Sequence, residues 1–482
     1  MEVNVYKNYI AGEWVAASNG SVTEIKNPCD GEVISRVANS TLEDVDKAVA
    51  SAKRAFYEED WAFNPRLRSS ILVKWAQKMR GNFDDLVKAL SLESGKPLKE
   101  SVIEINNAIG YMEYSASSAR TLYGSTTTVN KNMMSIMARE PVGIVVGIEP
   151  WNYPITLMIR DSIPALAAGN TLIIKPAGQT SGVSMAVIKL LSEIPELPKG
   201  VCNAITGSGS LVGPAFVEHP DVDMITMTGG LDTGKDIMAR AAGTMKRVSL
   251  ELGGKSANVV FADCDWNKAL TFCSQAIFSN AGQTCTAGSR LVLDRKIADR
   301  FLADLVGIAE KIQPGYCLDP NTTMGPVSSA SQMNKIMQYV EEAKKYSKLL
   351  TGGCRYLSNG CDKGFFIAPT IFLNPPIESS IVQEELFGPV LTVHLFDTED
   401  EAVALANCTR FGLASGIWSQ DLNTVMRVSR RLRSGNVWVN IYNRFFPECE
   451  TGGYKESGSD RAAGVEGFLK YTEIKHISID FS

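Results

Sequence analysis

The hydrophobic rhythm of the chain changes twice. Between residues 42 and 123 apolar residues recur at helical spacing, clearest in LEDVDKAVASAKRAFYEE, and predict a run of successive amphipathic helices. From Gly143 onward short apolar runs alternate with helical stretches. GIVVGI, NTLIIK, CNAIT, DMITMT and VSLE read as strands, with ITLMIRDSIPALAA, GVSMAVIKLLSEI, LVGPAFVEH and TGKDIMARAAG as the helices between them. Such alternation predicts a doubly wound parallel sheet whose ligand crevice lies at the carboxyl ends of its strands. Residues 256–440 repeat the theme with ANVVF, RLVLD, VLTVHLF and NVWVN, so the expected fold class is α/β with two doubly wound parallel-sheet domains meeting near residue 252. SIMAREP at 135–141 and the tail KYTEIKHISIDFS read as exposed strands outside both sheets.

At 482 residues the chain exceeds a usual single core, which agrees with two or three domains. A net charge of -5 and a pI near 5.6 argue against nucleic acid or an anionic membrane as partner, and the RRLR cluster at 430–433 is a short solvated face. No apolar run approaches the ~20 residues needed to span a bilayer, and the amino terminus has no charged-then-apolar secretory pattern, so a cytoplasmic protein is expected. Ten cysteines without a CxxC pair fit a reducing compartment rather than a disulfide framework. The three histidines lack metal-ligand spacing, so no metal site is expected and a Cys-His hydrolase is disfavoured. His219 reads as a helix end and His394 as a strand residue.

Chemistry is suggested by three segments. KRVSLELGGKS presents Glu251, and FSNAGQTCTAGSR presents Cys285, each flanked by small residues. A cysteine attacks carbonyls once its thiolate is populated, and a separate carboxylate can act as base. Taken as a lone pair, the two read more readily as a buried structural cysteine and a strand-end glutamate. The third segment is PWNYP, where Asn152 lies between Pro150 and Pro154. Both prolines restrict the backbone around it, so the amide is presented in a fixed direction at a strand end, as an oxyanion donor requires.

With these residues in view the chain resembles the aldehyde dehydrogenase superfamily, of the NAD(P)-dependent hydrolytic type, almost from end to end. The resemblance is carried by IAGEW near the start, PWNYP at 150–154, KPAGQT at 175–180, TGGLDTG at 228–234, LELGG at 250–254, GQTC at 282–285, EELFGPV at 384–390 and GGYKESG at 452–458, in family order. It implies a cofactor-binding domain from 1–119 and 141–252, a catalytic domain from 253–447, and bridging strands from 120–140 and 468–482 that pair between subunits of a homodimer or homotetramer. It implies NAD or NADP as cofactor, held by Pro150, Trp151, Lys175, Gly178, Gly209, Gly229, Gly230, Gly234, Leu252, Glu385 and Phe387. GSGSLVG at 207–213 misses the dinucleotide fingerprint by one residue and by itself reads as a turn. Lys175 matches the lysine that binds the adenosine ribose, and Glu385 the residue that holds the nicotinamide ribose. For the reaction the resemblance implies addition of Cys285 to the aldehyde carbon, an alkoxide held by Asn152 and the Cys285 N–H, hydride loss to leave a thioester, and hydrolysis by water that Glu251 deprotonates.

Departures from the family pattern bear on details. Where many members carry a glutamate that bonds both ribose hydroxyls, this chain has Gly178, which leaves room for a 2′-phosphate beside Lys175. The usual Trp-Lys pair is Arg160 and Asp161, which puts a lysine proton relay in doubt. The usual Arg-Glu pair near the carboxyl end is Arg461 and Ala462, and Glu450 and Thr451 replace a Pro-Phe pair. Tyr153, Leu157, Arg160, Phe445 and Thr451 are the expected substrate-wall residues. Arg160 matches a carboxylate-binding arginine of succinate-semialdehyde dehydrogenases, so an acid semialdehyde is one expected substrate. Its partner arginine in those enzymes is Ser279 here, and pairing of Arg160 with the adjacent Asp161 is the plainer reading. A cofactor-independent thiol esterase and a noncatalytic binding protein are the alternatives from other classes.

Overall fold

The computed structural model describes residues 3–482. Its first sheet has seven strands in the spatial order Arg247–Glu251, Met224–Thr228, Ile144–Ile148, Thr171–Lys175, Cys202–Ala204, Asn8–Ile10 and Glu13–Val15. The first five are parallel and the last two antiparallel. Every residue of Thr171–Lys175 and Met224–Thr228 is buried, because helices cover both faces and leave no polar side for alternation to mark. On one face lie Leu42–Glu58, Gly209–Glu218 and Leu231–Ala241; on the other lie Pro154–Ala168 and Ser181–Ser192, with Pro65–Gly81 and Leu98–Ser118 packed outside them. The chain turns back across Ile144–Ile148, whose neighbours lead in opposite sequence directions, so the crevice opens beyond Ile148 and Thr228.

A second seven-stranded sheet runs Lys348–Thr351, Thr370–Leu373, Val390–Phe396, Arg290–Asp294, Ala257–Val260, Ala414–Trp418 and Asn436–Val439, parallel except at its Lys348–Thr351 edge. The two parallel sheets are the α/β class expected from the sequence. Ser125–Asn130, Met133–Pro141 and Thr472–Asp480 form a separate antiparallel sheet with Met133–Pro141 in the middle. The pairing part of the tail begins later than residue 468. Phe468 and Tyr471 are buried in the first core, where the Gly464–Leu469 helix packs on Pro154–Ala168.

Short strands in the first forty residues had no legible rhythm. Asn8–Ile10 and Glu13–Val15 finish the first sheet, and Asn4–Tyr6, Val33–Ala38 and Val22–Lys26 make a small sheet of their own. With three to six residues each they show no periodicity; pairing with distant strands decides them. His219 caps the Gly209–Glu218 helix, and His394 is buried within Val390–Phe396. Among the described residues no helix is long and apolar enough to cross a membrane.

Candidate active site

The turn after Ile144–Ile148 is held from below by a buried ion pair. Pro154 is the first residue of the Pro154–Ala168 helix, where a missing N–H costs nothing. The next free donors, the N–H groups of Ile155 and Thr156, donate to Glu104 Oε1 at 3.0 and 3.3 Å. Glu104 pairs with Lys96, both side chains fully buried, and Lys96 Nζ donates to the backbone oxygen of Asn152 at 2.7 Å while lying 4.1 Å from the Tyr153 ring centre. The Asn152 side chain then donates from Nδ2 to the Gln283 carbonyl at 3.0 Å, so it faces the cysteine loop. One amide hydrogen is used in this contact and a second is left to donate.

The cysteine loop stores backbone strain. Asn280, Ala281 and Gly282 all have positive φ, at 48°, 50° and 72°. Left-handed alanine is costly and persists only where its surroundings over-determine it. Here Glu100 accepts from the Asn280 N–H, Asn280 Nδ2 reaches the carbonyls of Asn152 and Gln283, and Gln283 Oε1 accepts from the Ser328 N–H at 2.7 Å. Gly282 admits no side chain, since a Cβ would stand 2.1 Å from the Gly388 carbonyl oxygen. Thr286 Oγ1 bonds Asn443 at 2.7 Å and closes the far side. Burial pushes the Cys285 thiol up to about 12; Arg160 works against this, and Glu385 and Glu251 add to it.

Cys285 and Asn152 line one cavity of about 190 Å³ together with Pro150, Trp151, Gly229, Gly230, Leu252, Glu385 and Phe387. Nine residues expected from the sequence therefore meet there. Thr228, Gly253, Gln332 and Lys335 complete the wall and were not anticipated. Gly253 stood inside a quoted motif, and its need is steric: a Cβ there would lie 1.9 Å from Glu385 Oε2. Gln332, from the Ala330–Ala343 helix, donates to the Leu386 and Phe387 carbonyls and props Phe387 at φ 58°. No sequence signal marks it. Trp151 meets Phe387 edge-on at 5.3 Å, and Gly254 N–H holds Glu385 Oε1 at 3.0 Å.

Lys175, Gly178, Gly209 and Gly234 lie outside this cavity. A Cβ on Gly209 would come 3.8 Å from Lys175 Nζ, and one on Gly234 would press on Leu252. Burial pushes the Lys175 ammonium down to about 8 with no acidic neighbour to offset it. A Cβ at Gly178 would meet nothing within 4 Å among the described residues, so the space at that position is open. The glycine-bordered cavity, the tethered Glu385 carboxylate and the uncompensated Lys175 fit a dinucleotide, with the amino end of Leu231–Ala241 at Gly230 offering free N–H groups to phosphate.

Glu251 ends its strand 6% exposed, its backbone carbonyl accepting from the Gly229 N–H at 3.0 Å. Burial pushes it up to about 8; Arg160, Lys470 and Arg461 pull it down, and Asp161 raises it. Gly458 bridges to Glu251 in the backbone, and Leu250 lies so near that a Cβ on Gly458 would stand 2.6 Å from its carbonyl oxygen. Of the expected substrate-wall residues, Tyr153 places its hydroxyl 3.3 Å from Thr284 Oγ1, and Leu157 is buried in the helix. Phe445 stands edge-on to Trp438 at 5.2 Å. Thr451 is buried with its hydroxyl bonded to Asn436 Oδ1 at 2.9 Å. Arg160 forms two bonds to Asp161, Nε to Oδ1 at 2.6 Å and Nη2 to Oδ2 at 3.0 Å.

Comparison with known proteins agrees with this geometry. The model of the aldehyde dehydrogenase family matches residues 14–477. The chain is 41% identical over 472 residues to the betaine aldehyde dehydrogenase of Bacillus subtilis (strain 168), covering 97% of this chain and 96% of that one. It is 38% identical over 475 residues to the NADP/NAD-dependent aldehyde dehydrogenase PuuC of Escherichia coli (strain K12), covering 98% and 95%. The crystal structure of betaine aldehyde dehydrogenase from Staphylococcus aureus in complex with NAD+ superposes with a TM-score of 0.97 at 37% identity, over 99% of this chain and 95% of that one. A thiol and an amide opening onto one glycine-bordered cavity with the Glu385 carboxylate, in a chain matched along its length, place this protein in the aldehyde dehydrogenase family, whose members oxidise aldehydes with a nicotinamide cofactor.

Proposed function

We propose that the chain is a hydrolytic aldehyde dehydrogenase that accepts NADP as well as NAD and acts on an aldehyde without an anionic tail. The observation that carries the reading is the shared cavity: Cys285 and Asn152 open onto the same space as Glu385, Gly229 and Gly230, with Glu251 at the carboxyl end of the strand beside Met224–Thr228. Cys285 adds to the aldehyde carbon, and Asn152 Nδ2 with the Cys285 N–H receives the negative oxygen. The resting thiol is neutral, because burial and two carboxylates oppose the thiolate. The thiol proton leaves to solvent as sulfur adds to the carbonyl, so the first turnover does not require Glu251. A bound nicotinamide supplies the hydride acceptor. Glu251 in its carboxylate form then takes a proton from water, which attacks the thioester on Cys285 and releases the acid.

NADP acceptance is supported by Lys175, a buried cation without an acidic neighbour among the described residues, and by the open space at Gly178 three residues on. The non-anionic substrate is supported by Asp161, which takes the Nε–Nη2 edge of Arg160 and answers its charge, weakening its pull on a substrate carboxylate. The name of one relative, the NADP/NAD-dependent aldehyde dehydrogenase of Escherichia coli, points the same way for the cofactor pair. Steady-state assays with both cofactors over succinate semialdehyde, betaine aldehyde, an aliphatic aldehyde and benzaldehyde test all three parts. The expected result is turnover with both cofactors and a kcat/KM for succinate semialdehyde at least about tenfold below the best aldehyde. Highest kcat/KM with the acid semialdehyde overturns the substrate reading, and ester cleavage as the sole activity overturns the dehydrogenase assignment of Cys285. The exposed apolar residues Ile474 and Ile477 of the antiparallel sheet support pairing with a second copy, which light scattering would read as a dimer or larger.

A further inference from the structure

Behind Glu251 lies a group of buried and half-buried charges that the reaction as described does not use. Glu251 Oε1 is buried and has no hydrogen-bond partner among the described residues. A carboxylate in that position reverts to the neutral acid unless positive charge stands near it. Helix Pro154–Ala168 contributes Arg160 and Asp161, the end of the Ile144–Ile148 strand contributes Glu149, and the segment around the Gly464–Leu469 helix contributes Asp460, Arg461 and Lys470. Three cations and four carboxylates, Glu251 included, therefore share one region.

Two of the three cations are already committed. Arg160 is held by both oxygens of Asp161, whose Oδ2 also accepts from Thr228 Oγ1 at 2.6 Å, while Tyr471 donates to the Asp161 backbone carbonyl. Arg461 Nη1 donates to the carbonyls of Gly453 and Asp460 at 3.1 and 2.8 Å. Lys470 differs. Its Nζ donates to Ser249 Oγ at 2.9 Å, a hydroxyl and not a carboxylate. Ser249 is two residues before Glu251 in the same strand, and side chains two apart share a face of a sheet. The ammonium is thus anchored on the face from which Glu251 projects, and Glu251 and Asp161 are the acids that most favour its charged form.

We propose that Lys470, anchored on Ser249, is the positioning residue of the Glu251 base and supplies the counter-charge that keeps Glu251 ionised during thioester hydrolysis. The proposal rests on Glu251 being that base. Lys470 touches neither substrate nor cofactor; it acts by favouring the carboxylate. It also occupies the role that Asp161, an acid where many family members have a lysine, cannot fill.

The test is the pH profile of kcat for the full-length enzyme with saturating cofactor and aldehyde, read beside the pre-steady-state burst of reduced cofactor. Lys470→Met is expected to leave the burst amplitude intact and move the acidic limb of kcat upward by about one pH unit, a roughly tenfold loss of turnover below it. Lys470→Arg is expected to bring the limb back toward that of the unmodified enzyme. A full burst with an unmoved limb in Lys470→Met overturns the proposal. Should Lys470→Met lose the burst, Ser249→Ala is read in the same way: a limb moved upward supports the anchoring, and an unmoved limb overturns it. Glu251→Gln separates the two readings, since undiminished steady turnover in that variant removes the base itself and not merely its positioning.

Discussion

The two sides of the catalytic cleft are built on opposite principles. On the cofactor side Gly229, Gly230 and Gly253 border a cavity of about 190 Å³, and its one carboxylate, Glu385, is tied to a backbone N–H. On the base side Glu149, Arg160, Asp161, Glu251 and Lys470 are packed together and influence one another's protonation. The first side works by leaving out atoms, so an added atom is what damages it. The second works by balancing charge in a medium where each unpaired charge is expensive, so a removed charge is what damages it. This difference explains why glycines carry so much of the recognisable motif on one side, while the other tolerates an exchanged charge pattern.

The sharpest way to break this contrast is at Glu251. Glu251→Gln adds no bulk, yet steady turnover should fall roughly 10³-fold while the first turnover still yields a burst of reduced cofactor. In the unmodified enzyme Glu251 works only as carboxylate. Because burial holds its pKa up at about 8, kcat limited by hydrolysis should rise with pH through that value, about tenfold per unit below it. A flat profile across that range would remove it as the base. Asp161→Ala comes next: it leaves the Arg160 charge buried and unanswered and should cost about 3–5 kcal/mol of stability, read by chemical denaturation.

On the cofactor side the expected effects are smaller and appear in binding. Gly253→Ala puts a methyl group against the Glu385 carboxylate and should raise KM for the cofactor about tenfold with little change in overall stability, since the displaced atoms end a flexible side chain. Gly178→Glu should be nearly neutral for NAD and lower kcat/KM with NADP about tenfold, through repulsion of the 2′-phosphate beside Lys175. Equal losses with both cofactors would mean that Gly178 does not choose between them.

Much of this architecture was legible before any coordinates. Buried parallel strands such as TLIIK and MITMT announce themselves as apolar runs, and the Pro150–Pro154 turn announces the direction of Asn152. The Pro154–Ala168 helix was readable despite Pro164 in its interior, and the structure keeps it continuous. Other elements were not. Glu104, on the Leu98–Ser118 helix that reads as ordinary amphipathic surface, and Lys96, just before that helix, support the turn, and Gln332 props Phe387 from another helix. Their chemistry lies in contacts 50 or more residues apart, and local pattern is blind to such pairs.

Arg160 and Lys470 show where the division falls. By itself the sequence determined the fold class, the order of the motifs and the residue types available for thiol, oxyanion and base chemistry, because those depend on local periodicity and on short segments with one conformational solution. For Arg160 it left open a substrate anchor or a local ion pair, and the folded chain forms the two bonds of the pair with Asp161. Lys470 sits where a strand-like tail begins, with nothing nearby in the chain to suggest a catalytic neighbourhood. Tertiary structure alone brings it to Ser249, across 221 residues, because the tail folds back over the first core with Phe468 and Tyr471 buried. The strength of a buried charge depends on which other charges share its low-dielectric surroundings, and only the folded chain decides that.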